Sequence, residues 1–263
     1  MTHASLQLLA FATLSACASG ITSTDTPVSD RALEVIERGA GDTTVVFESG
    51  LGNDWTSWEP VATEVSAHAR VFAYSRPGYG ASEPTSEPRD AKHIVEDLRT
   101  LLTSKGYAPP YLLVGHSFGG AYMELFAKAY PDEVAGLVLV DPRHRDFTSA
   151  CERAGLEGCT IPEAVVATLK PVEIAEFEAF ARTSDEMRAA GEFGAYPVRV
   201  LTATAHGFSP EVEALWVSML GSLAAEADDG AQQIFSGAGH VLQLERAHEV
   251  AEAILSLVPA QGT

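Results

Sequence analysis

Positive charge is scarce in this chain: 17 Lys and Arg stand against 36 Asp and Glu in 263 residues, a formal net charge of −19. Nucleic-acid binding needs a basic footprint, so that partner class is excluded. The same acidity repels anionic substrates and phosphate-rich surfaces at long range. Cysteine is rare as well, confined to Cys17, Cys151 and Cys159. No His or Cys cluster has zinc-site spacing, so no metal is expected, and nothing in the sequence calls for a cofactor. No internal repeat or low-complexity tract stands out, and with 46% apolar residues the chain is not a disordered one.

The first twenty residues, "MTHASLQLLAFATLSACASG", contain no Asp, Glu, Lys or Arg. Their apolar stretch, Leu6 to Leu14, is shorter than the ~20 residues of a membrane-spanning helix and fits the centre of a secretory signal peptide. "LSAC" at 14–17 resembles a bacterial lipoprotein signal. That resemblance implies cleavage of residues 1–16, lipidation of Cys17, and a secreted or periplasmic protein whose membrane contact is that anchor. The start departs from the pattern, with His3 where Lys or Arg is usual. Residues 17–30 then read as a polar tether. In an oxidising compartment the remaining pair, Cys151 and Cys159, is expected to form a disulfide, stabilising by about 2–3 kcal/mol.

Beyond the tether, extended and helical patterns alternate. Residues 31–39, 43–50, 70–78, 111–115, 134–141, 198–205 and 232–237 read as strands; 56–69, 91–106, 119–130 and 247–258 read as helices. The order specifies a doubly wound, mostly parallel α/β sheet. Residues 143–196 interrupt it with three helical pieces and no strand, which reads as a cap between strands 6 and 7 over the carboxyl ends of the sheet. The core is then 31–142 and 197–263.

Between the strand "YLLV" and a helix lies Gly115-His116-Ser117-Phe118-Gly119, a G-x-S-x-G. A turn that tight leaves no room for Cβ atoms two residues either side of the serine, and it lifts the hydroxyl above the sheet. From here the sequence resembles the α/β-hydrolase superfamily over residues 31–258. "ESGLGNDWTSW", "YSRPGYGAS", "GHSFGG", "VLVDP" and "GAGHVLQLE" come in that family's order.

The resemblance implies a serine hydrolase in which Ser117 is the nucleophile and His240, after the last strand, its base. His144 and His206 also follow strands and are rival bases. The acid usually follows the next-to-last strand, but "LTATAHGFSPEVE" offers no Asp there. Asp141, ending the strand "LVLVD", is the expected acid, with Glu211 and Asp146 as alternatives. The backbone amides of Leu51 and Phe118 are the expected oxyanion donors, although Ser49-Gly50 stands where many relatives have His-Gly. Trp55 and His116 are candidate pocket residues. The implied substrate is a small carboxylic ester. A serine aminopeptidase resembling proline iminopeptidases, perhydrolysis, and a surface lipoprotein that binds without catalysis are the alternatives. Epoxide hydrolases and haloalkane dehalogenases carry Asp at the nucleophile, so Ser117 argues against both.

Overall fold

A computed structural model describes residues 22–28 and 31–259. The signal peptide expected at 1–16 and the lipidation site Cys17 lie outside the described residues. Eight strands form one sheet: β1 (Thr22–Val28), β2 (Arg31–Arg38), β3 (Thr44–Glu48), β4 (Arg70–Tyr74), β5 (Tyr111–His116), β6 (Val134–Val140), β7 (Val198–Ala203) and β8 (Gly230–Phe235). Their order is β1-β2-β4-β3-β5-β6-β7-β8. The pairs β1·β2 and β2·β4 are antiparallel and every other pair is parallel.

The tether expected over 17–30 is corrected in part, because 22–28 is an edge strand in continuous register with β2. "TSTDTPV" is rich in β-branched Thr, and an edge strand accommodates Pro27. A second difference is α7 (Pro210–Ala224), a helix absent from the expected elements. Its start signal is ordinary: Ser209 caps it by accepting from the Val212 amide, and Pro210 opens it.

The central strands are apolar on both faces because helices cover both. Successive β5 residues divide between two cores: Tyr111 and Leu113 pack with α2 (Ala91–Ser104), α3 (Phe118–Ala129) and α7. Leu112 and Val114 pack with α1 (Glu59–Val65) and α9 (Ala247–Leu255). Residues 143–196 hold α4 (Phe147–Ala154), the single turn α5 (Glu163–Val166) and α6 (Pro171–Ala189). A Cys151–Cys159 disulfide ties α4 to the segment before α5, as the sequence leads one to expect. No helix among the described residues is long and apolar enough to cross a membrane.

Candidate active site

The site begins where β5 becomes α3. Ser117 sits between them at φ 54°, in the left-handed region that a side chain adopts only under constraint. The three glycines around it answer to close approaches. A Cβ on Gly115 would lie 2.4 Å from the Gly119 carbonyl oxygen, and one on Gly119 would lie 2.4 Å from that of Glu48. One on Gly120 would meet Pro142 at 2.7 Å. The helix can therefore start hard against β3 and β6, which leaves Ser117 at the top of the sheet.

β6 and β8 bring its partners. Asp141 directly follows β6, also at positive φ (44°), and is fully buried. His240 lies on the loop between β8 and the short helix α8 (Leu242–Glu245). Its Nε2 is 2.9 Å from Ser117 Oγ, and its Nδ1 is 2.6 Å from Asp141 Oδ2. Asp141 Oδ1 accepts from the Ala203 amide (3.0 Å) and from Trp216 Nε1 (2.9 Å). The carboxylate thus has donors on both oxygens. Burial would raise its pKa, but the hydrogen bonds from His206 and His240 outweigh this and hold it well below the usual carboxylate range.

His206 reaches the cluster in a role the sequence did not suggest. Its Nε2 lies 2.6 Å from Asp141 Oδ2 and its Nδ1 lies 2.6 Å from Glu213 Oε1 on α7. Only the imidazolium donates at both nitrogens, so a histidine between two carboxylates is held in its charged form. Burial opposes that charge, yet the two carboxylates prevail and raise its pKa. The rival base is therefore a clamp behind the acid. Asp141, His206 and His240 are the one group among the described residues close enough to share an ion, and their ligand atoms are bonded to one another.

The other candidates separate cleanly. Glu211 is exposed in the first turn of α7, and Asp146 pairs with Arg188 at 2.8 Å; neither bonds to His240. His144 is buried and accepts the Asp146 amide at 3.0 Å. Burial, with Arg145 beside it, lowers its pKa to about 4. Trp55 and His116 do not line the cavity, which corrects that expectation. Trp55 belongs to the core on the sheet's other side, with Arg38 stacked on its ring. His116 alternates away from Ser117, and its Nε2 bonds the His240 carbonyl at 2.9 Å. Burial pushes its pKa down to about 3, so it is a neutral brace for the His240 loop.

The loop after β3 passes against the elbow. A Cβ on Gly50 would lie 3.2 Å from Ser117 Cβ and 2.9 Å from His116 Nδ1, so only glycine fits this approach. Arg76 Nη1 donates to the Ser49 carbonyl (2.5 Å) and Nη2 to the Gly50 carbonyl (3.0 Å). In a trans peptide the N–H points opposite to its C=O, so the Leu51 amide is turned away from Arg76. The Phe118 amide opens α3, where the first N–H groups lack intrahelical acceptors.

Above Ser117 a cavity of about 680 Å³ lies between the sheet and the helices of residues 143–196. Ser117, His240 and His206 form part of its floor, and Phe118, Phe180, Phe208 and Trp216 part of its walls.

The α/β-hydrolase-fold family model matches residues 43–156. The uncharacterised protein YqjL of Bacillus subtilis (strain 168) is 34% identical over 112 residues, 43% of this chain and 44% of its own. The match thus spans less than half of that relative's length. Solved structures extend the likeness across the fold. Epoxide hydrolase VrEH1 from Vigna radiata superposes with a TM-score of 0.68 at 17% identity, over 90% of this chain and 97% of that one. A thermophilic esterase from Thermogutta terrifontis, solved with malate bound, superposes with a TM-score of 0.62 at 21% identity, over 90% and 97%. Such low identities establish the fold and leave the substrate open. The elbow, the sheet order and these likenesses together show that the chain has the α/β-hydrolase fold.

Proposed function

We propose that this protein is a serine hydrolase that cleaves a carboxylic ester through an acyl-enzyme. The observation that carries the reading is the continuous hydrogen-bonded line from Ser117 through His240 to Asp141, 2.9 and 2.6 Å per link. His240 Nε2 takes the Ser117 proton as Oγ attacks the ester carbonyl. The oxyanion forms against the amides of Leu51 and Phe118, a contribution worth about 10²–10³ in kcat per donor. His240 returns the proton to the leaving alcohol, and the acyl group stays on Oγ. Water, deprotonated by the same imidazole, then releases the acid and regenerates Ser117. Asp141 fixes the His240 tautomer and offsets its transient charge.

The serine itself favours acyl chemistry over epoxide opening. Ring opening by an alkoxide would leave an ether on Ser117, which water does not readily cleave; a carboxylate nucleophile leaves an ester, which it does. The Cys151–Cys159 disulfide supports an oxidising compartment and hence the secreted or periplasmic location proposed from the N-terminal sequence.

A fluorophosphonate probe and p-nitrophenyl acetate and butyrate test this reading. One adduct per chain is expected, absent in Ser117→Ala and slowed in His240→Ala, with turnover of both esters following the same pattern. Labelling that persists in Ser117→Ala overturns it.

His206 predicts a pH-dependent stability. His206→Gln keeps a donor and removes the charge. The sign of the effect follows from the raised pKa. The contribution of His206 is complete below about pH 6.5, the unfolded value, and is lost as pH rises through the folded one. Denaturant unfolding should show that decline in the parent and a flatter curve in the variant. An equal decline in parent and variant would reduce His206 to packing.

A further inference from the structure

Three arginines border the cavity, and two are neutralised. Arg145 pairs with Glu124 and Glu226, and Arg188 pairs with Asp146 and Asp185. The third, Arg143, follows Asp141 by two residues on the loop after β6. Its amide donates to the Ser117 carbonyl at 2.9 Å, so its backbone is fixed against the nucleophile. Its guanidinium stands 5.1 Å from the Phe147 ring centre and 5.7 Å from that of Phe180. Nη2 donates to Thr148 Oγ1 at 2.7 Å, and among the described residues no carboxylate lies within ion-pair distance of it. Burial lowers its pKa to about 10, and no neighbouring charge acts on it appreciably in either direction.

A cation held among aromatic rings without a counter-charge is costly. Arginine's planar fork matches a carboxylate bidentately, and Arg143 lines the cavity that holds Ser117. We infer that Arg143 is an anion subsite and that the substrate is an ester carrying a free carboxylate. This rests on the ester-hydrolase reading and deepens it. It also qualifies what composition implies: the net charge of −19 repels anions at a distance. At 0.15 M salt that repulsion is screened within about 8 Å, and the nearest charge then governs the pocket.

Two ester pairs test it at physiological ionic strength. The first is mono-p-nitrophenyl glutarate against its methyl ester, with the carboxylate on the acyl half. The second is 4-carboxyphenyl butyrate against its methyl ester, with the carboxylate on the leaving half. In at least one pair the carboxylate should be favoured by about 10- to 100-fold in kcat/KM, the scale of a charged hydrogen bond. Arg143→Met should bring that ratio close to one, and Arg143→Lys should retain part of it. Calorimetry on Ser117→Ala with the same compounds measures the preference without turnover. A carboxylate preference in binding with no turnover of any ester would uphold the subsite and overturn the esterase reading. Turnover without preference in either pair, or a preference that survives Arg143→Met, would overturn the subsite. Thermal unfolding of both Arg143 variants identifies any result due to misfolding, and in that case the Ser117→Ala binding comparison decides.

Discussion

Asp141→Asn is expected to lower kcat by about 10⁴-fold with KM little changed, the scale that exchange produces in a serine–histidine–acid site. The physical reason lies in the donors around the carboxylate. Asp141 Oδ1 faces the Ala203 amide and Trp216 Nε1, while Oδ2 faces His206 and His240. An amide has one acceptor oxygen. With that oxygen on the Ala203 side, its NH₂ meets both imidazoles. His240 must then accept at Nδ1 and carry its proton on Nε2, where it no longer takes a proton from Ser117. With the amide flipped, the NH₂ opposes two fixed donors in a buried site, at a cost of about 1–3 kcal/mol per unsatisfied group. Either orientation disables the line or strains the fold. Stopped-flow acylation, alongside thermal unfolding, reads the two costs separately. Glu211→Gln, on an exposed side chain, should leave kcat within about twofold. A loss below tenfold in Asp141→Asn would move the acid elsewhere.

How much of this could be read from the sequence depended on how local each signal was. Ser117 announces itself through adjacent glycines and the strand–helix junction. His240 and Asp141 follow from lying just after strands, because parallel strands deliver all such residues to one edge. His206 also follows a strand, and in sequence it reads as a rival base. Its actual partner, Glu213, lies on α7, and without that helix no reason appeared for a clamp behind Asp141. Trp55 was misplaced because nearness in sequence to Gly50 suggested nearness to the pocket. The 3-10 turn it begins instead buries the ring beneath the sheet, beside Phe47 and Trp58. Arg143 offered no signal, since an unpaired arginine differs from a solvated one only by what surrounds it in three dimensions.

The largest effect on stability is expected from a contact whose partners lie 100 residues apart in the chain. Glu176, on α6, is fully buried and receives Arg76 Nε at 3.0 Å, Arg76 Nη2 at 2.9 Å, a bond from Arg89, and the Tyr79 hydroxyl at 3.0 Å. Arg76 also bonds Glu48 at 2.6 Å, beneath the sheet end. The capping helices are therefore tied to the sheet by two carboxylates and two guanidiniums. Burial would raise the pKa of Glu176, but Arg76 and Arg89 outweigh it and lower the value. Glu176→Ala leaves Arg89 without that partner and Arg76 with Glu48 as its one remaining carboxylate. Breaking a buried pair from one side costs about 3–5 kcal/mol, which for a domain of this size is a fall in Tm of roughly 10 °C. The stabilisation by Glu176 is present above its unfolded pKa of about 4.3 and is lost as pH falls through the lowered folded value, so the gap between parent and variant should close in acid. Activity should fall as well, because Arg76 holds the carbonyls of Ser49 and Gly50 and through them the direction of the Leu51 amide. A fall in stability of less than about 1 kcal/mol would mean that the docking of α6 does not depend on this tie. Unchanged kcat together with a large stability loss would separate the tie from the oxyanion loop.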